Sequence, residues 1–504
     1  SYSVTGVQTC ALPILSNNAN VKGFVSIKYN ASGVAQWTKS FKSPIPKNDL
    51  PSDIFCDSEG NVFVVGHTQN EGSQKDAVLL KYDSSGNQVW LKNYTGQGDN
   101  YDNVNAITTD ASGNIILGGY TVNTDNDRDL LLLKYNSSGA ILWTYTYNGS
   151  SGYLDEITAV KTDANGNIFA CGFVKNSRVS YDFLTIKLNS SGQLVWAATY
   201  NSPYNESDKP WDIALDAIGN VYVTGESDSD VSELSNDDFC TVKYNATGQF
   251  QWVARYLGTG NGTDRALRIK TSLSGSVYVA GRSSNGTDND FVLISYSSSG
   301  QENWVKRFDG EFEDDNPTAL ALDPSENILV AGNSKRAVDN DDCLILKYQP
   351  NGVLAWSHYY NGTGNGNDRV RDIACDNNGN VILVGETDSD ASTEVKNYDV
   401  LVLKYNPNGE ILWQNTYDGA AGTDDIAKAL VVNNEGFIFV SGQVENGSAS
   451  NKNPDFISLK YSAEGVLLWY GSYNGAASGN DGASCMVLNR SEEHTSELQS
   501  PNTI

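Results

Sequence analysis

The sequence is poor in the residues that most often carry catalysis. It has three histidines and one methionine in 504 residues. Only His67 and His358 lie among the repeats described below, so a histidine-built zinc site or a Ser-His-Asp triad has almost no material. Positive charge is also scarce: 34 Lys and Arg face 61 Asp and Glu, a net charge of −27. Such a chain repels nucleic acid and anionic membranes, and it favours cations. No stretch approaches the roughly 18 consecutive apolar residues that span a bilayer, so no membrane insertion is expected. No long segment has the 3.6-residue period of an amphipathic helix, so helix should be nearly absent.

Cysteine adds little. Apart from Cys10, the cysteines are Cys56, Cys171, Cys240, Cys343, Cys375 and Cys485. None forms a CxxC pair, and their spacing gives no disulfide framework. Several stand where sister segments carry an apolar or small residue, which fits small buried hydrophobes. Acidity does not imply disorder here, because Trp, Tyr, Val, Ile and Leu are plentiful.

The two ends repeat nothing between them. Residues 490–500 read RSEEHTSELQS and residues 4–14 read VTGVQTCALPI. One codon spelling of the first stretch has a reverse complement that encodes the second in a shifted frame. That DNA resembles a widely used sequencing-library adapter. Residues 1–14 and 490–504 are therefore read as translated adapter with its flanks, expected to pack poorly and to lie outside the fold. Residues 15–489 keep 33 basic and 58 acidic residues, a net charge of 33 − 58 = −25. The apolar Val4–Ile14 is not a leader peptide on this reading.

Within 15–489 one phrase recurs with a period of about 53 residues. DSEGNVFVVG (57–66) returns as DASGNIILGG (110–119), DANGNIFACG (163–172) and DAIGNVYVTG (216–225). Four further copies begin at 272, 323, 376 and 433. A second phrase follows each, as in LLKYNSSGAILW ending at Trp143. It places tryptophans in register at 37, 90, 143, 196, 252, 304, 356, 413 and 469, spaced by 52 to 57 residues. Each unit holds four short β runs; in the second unit they are Val104–Thr109, Asn114–Tyr120, Asp129–Tyr135 and Ile141–Tyr147. In D-x-x-G-N the Asp accepts backbone hydrogen bonds from residues just ahead of it, and Gly or Asn tolerates positive φ. These Asp residues are turn-formers.

Third runs such as DLLLLKY are apolar at consecutive positions, so the sheet is covered on both faces. A four-stranded antiparallel unit covered on both faces by its neighbours is a propeller blade. The predicted fold is an all-β propeller with about eight complete blades, plus partial pieces at the ends. Phe24–Phe41 supplies a third and fourth strand, and Ala483–Leu488 a first strand. These either combine as a ninth blade or are the cut edges of a longer array.

The phrases D-x-x-G-N-[VI]-[YF]-V-x-G and K-Y-N-x-x-G-x-x-x-W resemble the SBBP (seven-bladed β-propeller) repeat family over residues 21–489. That resemblance implies a β-propeller, a secreted or cell-surface bacterial location, and no established catalytic residues. The blade number departs from the family name.

Function follows the same order. A non-catalytic binding or scaffold module for protein or polysaccharide is expected. A propeller glycosidase and a purely structural module of a larger secreted protein are the alternatives. A sialidase-type site would need an arginine cluster, and Arg265, Arg268, Arg369 and Arg371 fall in two blades at first-strand positions. The tight turns between first and second and between third and fourth strands share one face of the ring. Variable loops occupy the other, and variable loops on a rigid scaffold carry function. The second-to-third loop is longest from Gly225 to Asp238, Gly385 to Asp399 and Gly442 to Asp455.

Trp211, the one tryptophan between 15 and 489 that is out of register, opens a first strand on that face. Its sister positions are Ser52, Asn105, Thr158, Leu267, Thr318, Arg371 and Lys428. With Asp228 and Asp230 it is the candidate binding residue, suited to stacking on a sugar ring. Asp125, Asp127 and Asp129 have the alternating spacing of calcium loops, although Leu130 stands where an EF-hand places Gly. They are the candidate site for a structural Ca²⁺.

Overall fold

The protein is described from a computed structural model. It covers residues 8–13 and 23–488 except 44–48, 58, 70–74, 97–100, 150–153, 176–179, 204–205, 229–236, 261, 311–313, 338–339, 365, 389–396, 420–422, 446–453 and 475–484. Every regular element among the described residues is a β-strand. Eight four-stranded antiparallel sheets follow one another along the chain, at 50–94, 102–147, 156–200, 208–256, 265–308, 316–360, 368–417 and 426–473. They are blades 1 to 8 of a β-propeller. In blade 2 the strands run Asp102–Thr109, Ile115–Val122, Arg128–Tyr135 and Ile141–Tyr147, within two residues of the sequence-based expectation at every boundary.

The end pieces combine. A ninth sheet is built from Cys485–Leu488, Gln8–Pro13, Phe24–Tyr29 and Ala35–Phe41, in that spatial order. Among the described residues, nine apolar clusters join the nine sheets, one between each neighbouring pair. That between blade 8 and the ninth sheet holds Phe439, Phe456, Trp469, Val25, Ile27 and Met486. That between the ninth sheet and blade 1 holds Phe24, Trp37, Ile54, Val62 and Leu80. Gln8–Pro13, part of the stretch read as adapter, pairs with Phe24–Tyr29 over six positions and with Cys485–Leu488 over four.

The recurring phrases become contacts between blades. Lys134 Nζ and the Trp143 indole N–H of blade 2 both donate to Ser190 O, in the NSSG turn of blade 3, at 2.9 and 3.3 Å. Gly192 of that turn has φ +79° and lies against the Trp143 ring. Lys134 also bridges Asp110 at 2.8 Å, both fully buried. Asp110 in turn caps its own D-x-x-G-N turn, accepting from the N–H groups of Ser112 and Asn114. Lys347–Asp323 and Lys404–Asp376 repeat the pair. The register tryptophans sit on the outermost strands, half-wrapped by the next blade. Trp37, Trp356 and Trp469 are buried, and the other six are half-buried. All nine thus have most of their surface covered, as parts of the blade packing.

Candidate functional site

First strands pack on first strands around the ring, so they line its axis. Every one in blades 1 to 8 is interrupted by a β-bulge, as between Pro210 and Asp212 in blade 4. The bulge pushes the Lys209 carbonyl against Gly225, where a Cβ would collide with it. This is why the phrase D-x-x-G-N-[VI]-x-V-x-G must end in glycine. The bulged residue itself is left unpaired. Around the ring these residues are Ser52, Asn105, Thr158, Trp211, Leu267, Thr318, Arg371 and Lys428. The column compared in the sequence is thus the bulge column of the axial strands.

Within it Trp211 leaves 43% of its surface exposed, and its neighbour in the next blade is the apolar Leu267. Elsewhere the column is polar. Asn105 Nδ2 donates across to Glu156 Oε1 at 2.6 Å. Arg371 holds Glu386 through Nε (2.8 Å) and Nη2 (2.6 Å). Burial, with Arg371 beside it, lowers the Lys428 ammonium below its usual range.

The residues grouped with Trp211 are not all at its side. Asp228 is buried at the rim end of its strand, with its N–H on Ser207 O. It lies about 10 Å up the ladder from the bulge at ~3.3 Å per residue. Asp230 and the long loops at 229–236, 389–396 and 446–453 lie outside the described residues. The arginines do not converge. Arg265 pairs with Glu226, Arg369 with Asp341 and Arg371 with Glu386, while Arg268 donates to Leu267 O.

Asp125, Asp127 and Asp129 form an ordinary turn. Asn123 Oδ1 accepts from the N–H groups of Asp125 and Asp127, and its Nδ2 donates to Asp129. Asp125 is exposed. Among the described residues, the acidic groups whose oxygens converge within 4.8 Å are elsewhere: Asp288, Asp290 and Asp309, and Asp399, Asp418 and Asp425.

Asp290, Asp399 and Asp425 of these groups belong to a second recurring construction, which the turn and tryptophan phrases do not reveal. One buried Asp opens each first strand: Asp102, Asp155, Asp208, Asp264, Asp315, Asp368 and Asp425 in blades 2 to 8. Another stands at the start of each third strand. The first-strand Asp accepts from a backbone N–H five or six residues earlier, as Asp102 does from Gly96 at 2.7 Å. Burial pushes these carboxyls up, to about 7 for Asp208, Asp315 and Asp425 and about 6 for Asp102, Asp155 and Asp368. A signal for it exists in the sequence, because a Gly followed six residues later by Asp recurs between most fourth and first strands.

No family model matches the chain, and no curated protein sequence matches it. Solved structures do. A eukaryotic initiation factor aligns with a TM-score of 0.52 at 9% identity, covering 95% of this chain and 99% of that one. The β-propeller domain of the Trilobed protease from Pyrococcus furiosus aligns at 0.37 and 9% identity, covering 74% and 93%. A gluconolactonase from Xanthomonas campestris aligns at 0.28 and 11% identity, covering 55% and 88%. At such identities the likeness concerns the fold alone, and the chain is a β-propeller of repeated blades.

Proposed function

We propose that this propeller is a non-catalytic binding scaffold of the SBBP repeat type, secreted or displayed at a cell surface, that takes a protein or polysaccharide at its axial mouth. One observation carries the reading: Trp211 stands exposed on a strand lining the axis, at a bulge position that its sister blades fill mostly with polar side chains. An exposed aromatic face suits stacking on a sugar ring or on a peptide side chain. The repeat itself does not demand a tryptophan there, because the sister blades form the same bulge with other side chains. The test is a glycan array and a protein pull-down with wild type and Trp211→Ala, with folding checked by circular dichroism. Loss of a wild-type ligand in the variant supports the reading. Equal binding by both proteins moves the site elsewhere, and hydrolysis of any arrayed glycoside replaces the scaffold with an enzyme.

A further inference from the structure

The acidic residues at the blade interfaces come in pairs that the fold itself forces together. Asp155 N donates to Arg128 O, Asp264 N to Asp237 O and Asp315 N to Asn289 O. In each case the acceptor immediately precedes the third-strand Asp of the blade before. A buried first-strand Asp is therefore locked beside a third-strand Asp of the neighbouring blade. Between blades 6 and 7 an Asn side chain makes the link instead: Asn367 Oδ1 accepts from Asp341 N at 2.8 Å. That sets Asp368 beside Asp342.

Two carboxylates in a dry interface repel each other and lose hydration, so they need a counter-charge or a proton. Blade 5 supplies its own counter-charge. Arg307 on the fourth strand bonds Asp290 through Nε and grips Ser283 through Nη1 and Nη2, each at 3.0 Å. Arg307 stands three residues after a register tryptophan. The same position holds Arg255 in blade 4, but Tyr359 in blade 6 and Thr416 in blade 7. Blade 6 therefore has the acidic pair without the guanidinium.

The consequence is visible at Asp342. It is 0% exposed, and among the described residues neither of its carboxylate oxygens has a hydrogen-bond partner. Asp368 across the interface is also 0% exposed and accepts from Gly362 N at 2.7 Å. The cation whose field reaches Asp342, Arg336, lies over the Tyr359 ring, 4.5 Å from its centre. In the next interface round, the corresponding pair Asp399 and Asp425 lies within 4.8 Å of a third carboxylate, Asp418, whose place in blade 6 is taken by Asn361.

We propose that the interface between blades 6 and 7 binds a divalent cation of the calcium type, held by Asp342 and Asp368 where blade 5 uses Arg307. Oxygen-only ligands select a hard cation, and Ca²⁺ accepts an irregular carboxylate set completed by water. The ion ties two blades together at the rim of the variable-loop face.

The test uses the full chain with CaCl2, MgCl2 or EDTA, read by thermal melting and by calorimetric titration of Ca²⁺. Saturating Ca²⁺ should raise the melting temperature by about 3 °C or more. Asp342→Asn should bind one ion fewer per chain and lose part of that rise. Should that variant fail to fold, Tyr359→Arg provides the second reading. It places a guanidinium in the column of Arg307, and should raise the melting temperature in EDTA while reducing the response to Ca²⁺. An identical melt in CaCl2 and EDTA overturns the proposal. So does an unchanged ion count in Asp342→Asn, which locates the ion elsewhere. An Asp342→Asn protein that melts higher than wild type in EDTA, with no Ca²⁺ bound by either, assigns the pair a shared proton instead.

Discussion

The indole N–H of Trp469 donates to Ala31 O at 3.1 Å across 438 residues of sequence, and Lys460 Nζ reaches the same carbonyl at 3.3 Å. This is the lock seen between successive blades, used once more to join blade 8 to the ninth sheet. Gly33, with φ +78°, lies against the Trp469 ring as Gly192 lies against Trp143. Trp469→Ala should therefore cost about 3–5 kcal/mol, as for other large-to-small core changes, and should loosen the closure. Urea unfolding followed by fluorescence measures it. A loss under about 1 kcal/mol, typical of a surface position, would mean the ring is held shut by other contacts.

Gly192→Ala tests the same lock from its other half. Alanine must adopt φ near +79°, and its Cβ would strike the Trp143 ring. Backbone strain of this kind costs about 1–3 kcal/mol, and the clash adds to it. Gly113 has φ +75° with nothing within 4 Å, so Gly113→Ala should be milder. Equal melting temperatures for the two variants would show that contact with the tryptophan contributes nothing.

Lys134 and Asp110 are buried together, with side chains 2% and 5% exposed. Lys134→Met leaves Asp110 without its ammonium, and such a break costs about 3–5 kcal/mol. Lys134→Met with Asp110→Asn should recover much of the loss, because no lone charge remains buried. A double variant less stable than Lys134→Met would show that the two residues act independently. Chemical denaturation of the four proteins in the cycle settles it.

Stability should fall as pH rises towards 8. The first-strand carboxyls of Asp208, Asp315 and Asp425 lie near 7 in the fold, and burial is the main cause. Their unfolded value is about 3.9. The fold thus binds these protons more tightly, so their contribution is fully present below about pH 4 and is lost as pH rises through 7. Asp110, Asp323 and Asp376 work the other way. Burial opposes ionisation at each, but hydrogen bonds and a lysine outweigh it and hold the carboxyls below the usual range. Their contribution is lost as pH falls through that lowered value. Melting in EDTA should peak near pH 5 and decline by pH 8; a flat or rising profile over that interval contradicts the assignment.

The ninth sheet offers a separate experiment. Its second strand, Gln8–Pro13, pairs Leu12 with Val25, the register at which blade 1 pairs Gly66 with Val78. In blades 1 to 8 that glycine admits the bulged first strand. Replacing residues 8–13 with the blade 4 sequence at 221–226, VYVTGE, restores the glycine and should raise the melting temperature by a few degrees. Deleting 490–504 should leave it unchanged. A replacement that lowers the melting temperature would show that the ninth sheet differs from its neighbours in kind.

The sequence by itself determined the repeat, its four strands, its turns and its propeller class. Period-two β runs and D-x-x-G-N turns are local devices, and their physics acts over a few residues. That is why Asp110 and its sisters are legible as turn-formers from their own pentapeptides. What Lys134, Trp143 and Gly192 do together is not legible there, because they meet across a blade boundary. The joining of Phe24–Phe41 with Cys485–Leu488 is open in the sequence for the same reason: ring closure depends on the rotation from blade to blade, which no local pattern encodes. Trp211 stands out as odd in its column, yet only the bulge shows that the column lines the axis. The pairing of Asp342 with Asp368 is hidden altogether. Each is an unremarkable acid in its own blade, and only packing two blades together turns them into a buried pair in need of a counter-charge.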